Sequence, residues 1–165
     1  EKLGGKGNVV EIQGTAGASV TVDRHQGFID ALKDYPDIKV IAEQHADFDR
    51  AAGLKFMEDV IQRFGAGEID AVYAHNDSMG LGAMQALEEA GITGKILVSI
   101  DGENQTIDAI KEGRFTAVFI YPTAAPEAVQ YAYKIAQGEA VPPEVTLPSQ
   151  LVDATNVDEW IGKGI

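Results

Sequence analysis

The chain has 165 residues and a mass of 17.6 kDa, with 13 Lys and Arg against 26 Asp and Glu, so its formal net charge is −13 and its pI about 4.5. That balance excludes most nucleic-acid partners, because a phosphate-binding surface needs clustered cations to release counterions, and it disfavours docking on an anionic leaflet. A mean hydropathy of −0.08 goes with the lack of any apolar run long enough to span a membrane, and the absence of cysteine excludes disulfides, thiolate metal sites and cysteine nucleophiles.

A single domain of this length is expected to bury roughly 70% of its unfolded surface. Glu1 is not an initiator methionine, so any targeting peptide is expected to have been removed or to lie upstream.

Hydrophobic periodicity predicts strands and helices in alternation. Residues 8–13 form the first apolar run, and Gly14-Thr15-Ala16-Gly17-Ala18-Ser19 leads into a helix that carries Arg24, with Ser19 as its expected N-cap and Phe28, Ile29 and Leu32 on one face. A second strand is predicted over residues 38–44, then a helix with Leu54, Met57, Ile61 and Phe64 in one stripe. A third strand over 71–75 precedes a helix marked by Leu81, Met84 and Leu87, and a fourth over 96–100 precedes a short helix with Ile107 and Ile110. Ala90-Gly91 and Glu112-Gly113 place glycine where left-handed C-caps belong. The fifth strand covers 116–120, a helix runs from about 124 to 137, and Val141-Pro142-Pro143 reads as an extended connector. The strands are mostly apolar rather than alternating, as strands covered on both faces should be. The expected fold is therefore α/β, a doubly wound parallel sheet with helices on both faces.

Parallel sheets bind ligands beyond the carboxyl ends of their strands, which selects the residues that follow each apolar run. All three histidines, His25, His45 and His75, fall at or near strand ends, but no carboxylate stands at an offset diagnostic of a metal site, and no metal is expected. The Gly-rich loop lacks the Gly-Lys-Ser/Thr ending of a phosphate loop, Gly80-Leu81-Gly82 is followed by Gln85 where a third glycine would stand, and no Gly-x-Ser-x-Gly elbow or calcium loop occurs. Asp101 as a phosphoacceptor would need further acids where the chain has Gly14-Thr15-Ala16. No catalytic residues and no cofactor are expected.

Arg24, Phe48, Asn76, Asp101 and Tyr121 collect on one rim. A guanidinium, a carboxamide and a carboxylate suit a neutral polyhydroxylated ligand, since each can meet two neighbouring hydroxyls, and Phe48 can cover the C–H face of a sugar ring. The plainer alternative has Arg24 paired with Asp23 or Asp77, Asn76 and Asp101 capping helices, and Phe48 in the core.

Residues 9–19, Asp23-Arg24-His25-Gln26-Gly27-Phe28, Ala46-Asp47-Phe48-Asp49-Arg50, residues 75–83 and Ile100-Asp101-Gly102, in that order and spacing, resemble the ribose-binding-protein type of periplasmic sugar receptor for ABC transporters. The resemblance implies that Arg24, Asn76 and Asp101 hydrogen-bond a sugar and that Phe48 stacks on it; Tyr121 falls where some relatives place a Gln or another polar ligand residue. It also implies a periplasmic binding protein-like I lobe. Residues 1–121 would form a C-terminal lobe, 122–149 would cross to an N-terminal lobe missing from this chain, and 150–165 would return through the hinge. The implied function is a non-enzymatic solute-binding component of an ABC importer, periplasmic or otherwise extracytoplasmic, lipid-anchored or free. Its partners would be a monosaccharide or polyol ligand, the permease and the other lobe, with no direct membrane insertion. The chief rival keeps the fold, the effector-sensing domain of a LacI-type transcription regulator without its DNA-binding region; a second is a self-contained flavodoxin-like signalling domain or enzyme with its site formed within this chain.

Overall fold

The β-branched runs pair into one sheet because each can bury both faces only between helices. The structure, a computed structural model, describes residues 2–165. Its elements are β1 (Lys6–Gln13), α1 (Ser19–Leu32), β2 (Asp37–His45), α2 (Arg50–Phe64), β3 (Ala71–Ala74), α3 (Asp77–Glu89), β4 (Ile96–Asp101), α4 (Asn104–Lys111), β5 (Ala117–Ile120), α5 (Ala125–Ala136) and β6 (Gln150–Asp153). Short 3₁₀ turns occupy Ala66–Glu68 and Val157–Glu159.

The sheet order is β2-β1-β3-β4-β5-β6. β1 to β5 run parallel, whereas β6 pairs antiparallel with β5, Val118 opposite Val152. The sheet is thus mixed, with an antiparallel edge strand that the expected all-parallel arrangement lacks. From β1 the chain first builds outward to β2 and then returns to the other side through β3. That reversal opens a crevice at the carboxyl ends of β1 and β3, where Gly14 and His75 follow the strands.

One face of the sheet, with Val10, Ile12, Val72, Ala74, Leu97 and Val118, belongs to the core that Phe56, Met57 and Val60 of α2, Met79 and Leu81 of α3 and Ile107 of α4 complete. α1 lies over the opposite face, where Phe28 rests on Tyr73 with ring centroids 4.8 Å apart. Beside it runs an apolar groove of 560 Å³ lined by Phe28, Leu32, Tyr73, Ile96, Val98 and Phe119. Helices therefore occupy both faces. Gly91 and Gly113 adopt the expected left-handed conformation after α3 and α4, at φ 69° and 75°. Ser19 departs from expectation: Ala18 is the N-cap of α1 and no side chain caps it, so the serine is the first helical residue.

Candidate functional site

The rim above the crevice is built from five segments of the chain. Arg24 comes from the second turn of α1, Phe48 from the β2–α2 loop, Asn76 from the start of α3, and Asp101 and Tyr121 from the ends of β4 and β5. The structure brings all five together. Arg24 Nη2 lies 3.6 Å from Asp101 Oδ1, with the two side chains 13% and 22% exposed. That separation is too long for a direct hydrogen bond and short enough for one hydroxyl to lie within bonding distance of both. The guanidinium carbon sits 5.9 Å from the Phe48 ring centroid and 5.4 Å from that of Tyr121, in cation–π range of each. Its Nη1 donates to the backbone carbonyl of His75. The pairing with Asp23 or Asp77 contemplated from sequence is not the one formed.

Asn76 does double duty. Its Oδ1 accepts from Met79 N–H at 3.0 Å as the N-cap of α3, while its Nδ2 donates to the Phe48 carbonyl at 3.3 Å. Asp101 caps nothing: α4 has Glu103 at its N-cap, without a side-chain bond. Phe48 is half-buried and packs on the edge of the core.

The backbone around this rim is strained. Of the four non-glycine residues with positive φ among the described residues, three are Asp47 at 52°, Phe48 at 61° and Asp101 at 136°. Such conformations cost about 1–3 kcal/mol each and persist where the surroundings over-determine them, commonly at ligand sites. Asp77 supplies part of that restraint. Fully buried, it accepts from Gly102 N–H at 2.9 Å, Glu103 N–H at 2.6 Å and the Ser99 hydroxyl, and so pins the backbone that follows Asp101. Burial raises the Asp77 carboxyl to about 6, against the pull of those three hydrogen bonds and with a further push from Asp101. Burial raises Asp101 as well; Arg24 draws it back and Glu103 adds to the rise.

Below the rim lies a polar cluster that the sequence did not reveal. Glu11 and His75, both without exposed surface, pair through Glu11 Oε1 and His75 Nε2 at 3.0 Å, and His25 Nδ1 lies 2.9 Å from Glu11 Oε2. The histidines thus do have a carboxylate behind them, 14 and 64 residues away in the chain. Glu11, His25 and Glu43 offer ligand atoms within 4.8 Å of one another. The Glu11 oxygens, however, already meet N–H groups of His75, Gln13 and His25, so these contacts make a closed hydrogen-bonded cluster.

Residues 1–140 match the family described as a periplasmic binding protein domain. The xylitol-binding protein of Mycolicibacterium smegmatis is 47% identical over 115 residues, covering 70% of this chain and 33% of that protein. The galactofuranose-binding protein YtfQ of Escherichia coli is 43% identical over 145 residues, covering 85% of this chain and 46% of that protein. A crystal structure of a galactofuranose-binding protein superposes with a TM-score of 0.90 at 38% identity, over 99% of this chain and 57% of the other. The chain spans less than half the length of these two curated relatives.

Proposed function

The chain belongs to the periplasmic binding protein domain family, and from that premise we propose that it is the C-terminal lobe of an extracytoplasmic receptor, one that closes on a monosaccharide or related polyol and delivers it to the permease of an ABC importer. Arg24, Asn76 and Asp101 hydrogen-bond the ligand in this reading, and Phe48 and Tyr121 flank it. The observation that carries the reading is the Arg24–Asp101 pair, 3.6 Å apart, with the Arg24 guanidinium in cation–π range of two aromatic rings. The two charges compensate one another, which favours a neutral ligand, and the open distance between donor and acceptor suits hydroxyls. The names of the relatives, one for a polyol and one for a furanose sugar, fit that chemistry.

The lobe occupies residues up to 121; the segment 122–149 crosses to a second lobe; residues 150–165 return. Supporting this division, α5 has no buried residue, and Val129, Tyr133 and Ile135 are 70%, 66% and 60% exposed, surface that apolar side chains leave open when their packing partner lies elsewhere. β6 then comes back to complete the sheet.

Calorimetry on the two-lobed receptor with pentoses, hexoses, furanoses and polyols tests the function. One of them is expected to bind near micromolar, roughly −8 kcal/mol. Asp101→Ala is expected to weaken that binding at least about tenfold, since it removes a charged acceptor. Unchanged affinity in the variant would refute the site assignment, and catalytic turnover of the sugar would refute the receptor reading.

A further inference from the structure

Glu11 stands in the middle of β1 with no exposed surface. A carboxylate so placed loses its hydration unless donors replace it, and three do: His75 Nε2 and Gln13 Nε2, each at 3.0 Å, and His25 Nδ1 at 2.9 Å. The hydrogen bonds outweigh the desolvation of burial and hold the Glu11 carboxyl below its ordinary value. His75 is equally buried, and its second nitrogen, Nδ1, lies 3.3 Å from Gly14 N–H. A carboxylate only accepts and a backbone amide only donates. The His75 ring is therefore neutral, with its proton on Nε2.

His75 has no surface from which to touch a ligand, yet two parts of the rim are held through it, Arg24 and the Gly14 seat of Phe48. Its carbonyl oxygen receives the Arg24 guanidinium. Its ring receives Gly14 N–H, and the Gly14 carbonyl in turn accepts from His45 Nδ1 at 2.9 Å. Gly14 is where Phe48 lies, for a Cβ added there would stand 2.0 Å from Phe48 Cζ. An apolar residue in place of His75 could fill the same volume, but it would leave both Gly14 N–H and the buried Glu11 carboxylate without a partner.

We propose that the Glu11–His75 pair positions the ligand rim: Glu11 holds the His75 ring in one tautomer and orientation, and His75 thereby fixes both the seat of Phe48 at Gly14 and the carbonyl that anchors Arg24. The assignment rests on the reading of that rim as a sugar site. Glu11 and His75 act through other residues and are positioning residues.

The test uses the two-lobed receptor and its best-binding sugar. Nitrogen-15 NMR of the histidine side chains is expected to show His75 with its proton on Nε2, and a proton on Nδ1, or on both nitrogens at neutral pH, overturns the proposal. His75→Leu is expected to lose affinity at least about tenfold, whereas His75→Gln, whose carboxamide offers a donor to Glu11 and an acceptor to Gly14, stays within about threefold of the parent. Rescue by the conservative variant separates positioning from simple filling of space. His75→Leu that folds and binds like the parent, while Asp101→Ala does not bind, overturns the proposal and leaves the receptor reading standing. An Asp101→Ala variant that binds every sugar as the parent does removes the rim reading, and the proposal with it. Where His75→Leu does not fold, His75→Gln decides, and a tenfold loss at the parental melting temperature overturns the proposal.

Discussion

At the scale of single residues, Asp77 shows how restraint at the rim is linked to pH. Its carboxyl is raised from 3.8 to about 6 by burial. Between those values the unfolded chain has released the proton while the folded chain still holds it, so the folded state binds more protons and stability falls as pH rises. The contribution is absent below the unfolded value and complete above the folded one, roughly 3 kcal/mol at most. Denaturant unfolding at pH 4 and pH 7 is expected to show this fall in the parent and not in Asp77→Asn; parallel pH dependences would contradict it. The rim residues were legible in the sequence because they lie in the segments that follow apolar runs, and the structure does assemble Arg24, Phe48, Asn76, Asp101 and Tyr121. The plainer alternative was right for the capping role of Asn76. Glu11 was not legible, since it reads as one polar residue inside a strand and its partners lie 14 and 64 positions on.

At the scale of elements, two helices that start just after rim residues touch backbone to backbone. α2 follows Phe48 and α3 follows Asn76, and they approach at Gly82, where an added Cβ would lie 2.3 Å from Arg50 O and 2.8 Å from Leu54 N. Backbone atoms cannot yield as a side-chain tip does. Gly82→Ala must push the helices apart, and a loss of roughly 1–3 kcal/mol is expected from such overpacking. Thermal unfolding measures it; an unchanged melting temperature would mean that the helices separate freely. The five parallel strands and their helices were readable because each run changes period at a polar or glycine turn. β6 was not, for its four residues, Gln150–Asp153, follow an irregular stretch and gain strand character only from pairing with β5. Ser19 misled for a related reason: a serine near a helix start caps only if it precedes the first helical residue, and here Ala18 does.

At the scale of the whole molecule, the rim lies at one end of a sheet and offers a ligand only one wall. The Arg24–Asp101 pair keeps 13% and 22% exposure and Tyr121 keeps 50%, so a sugar resting there stays in contact with water on its far side. Solvent competes for each hydroxyl, which reduces the net worth of every hydrogen bond to about 0.5–1.5 kcal/mol, or somewhat more for those to charged groups. If a second lobe contributes equally, the roughly −8 kcal/mol of a micromolar receptor divides into about −4 per lobe, the equivalent of a millimolar constant. The isolated chain is accordingly expected to bind the preferred sugar no tighter than about 1 mM, with NMR shift changes centred on Arg24, Phe48, Asn76, Asp101 and Tyr121. Joining a second lobe to it is expected to tighten binding about a thousandfold by completing the contacts and excluding water on closure. Micromolar binding by the isolated chain would mean that the site is complete within these residues and that no opposing wall is needed.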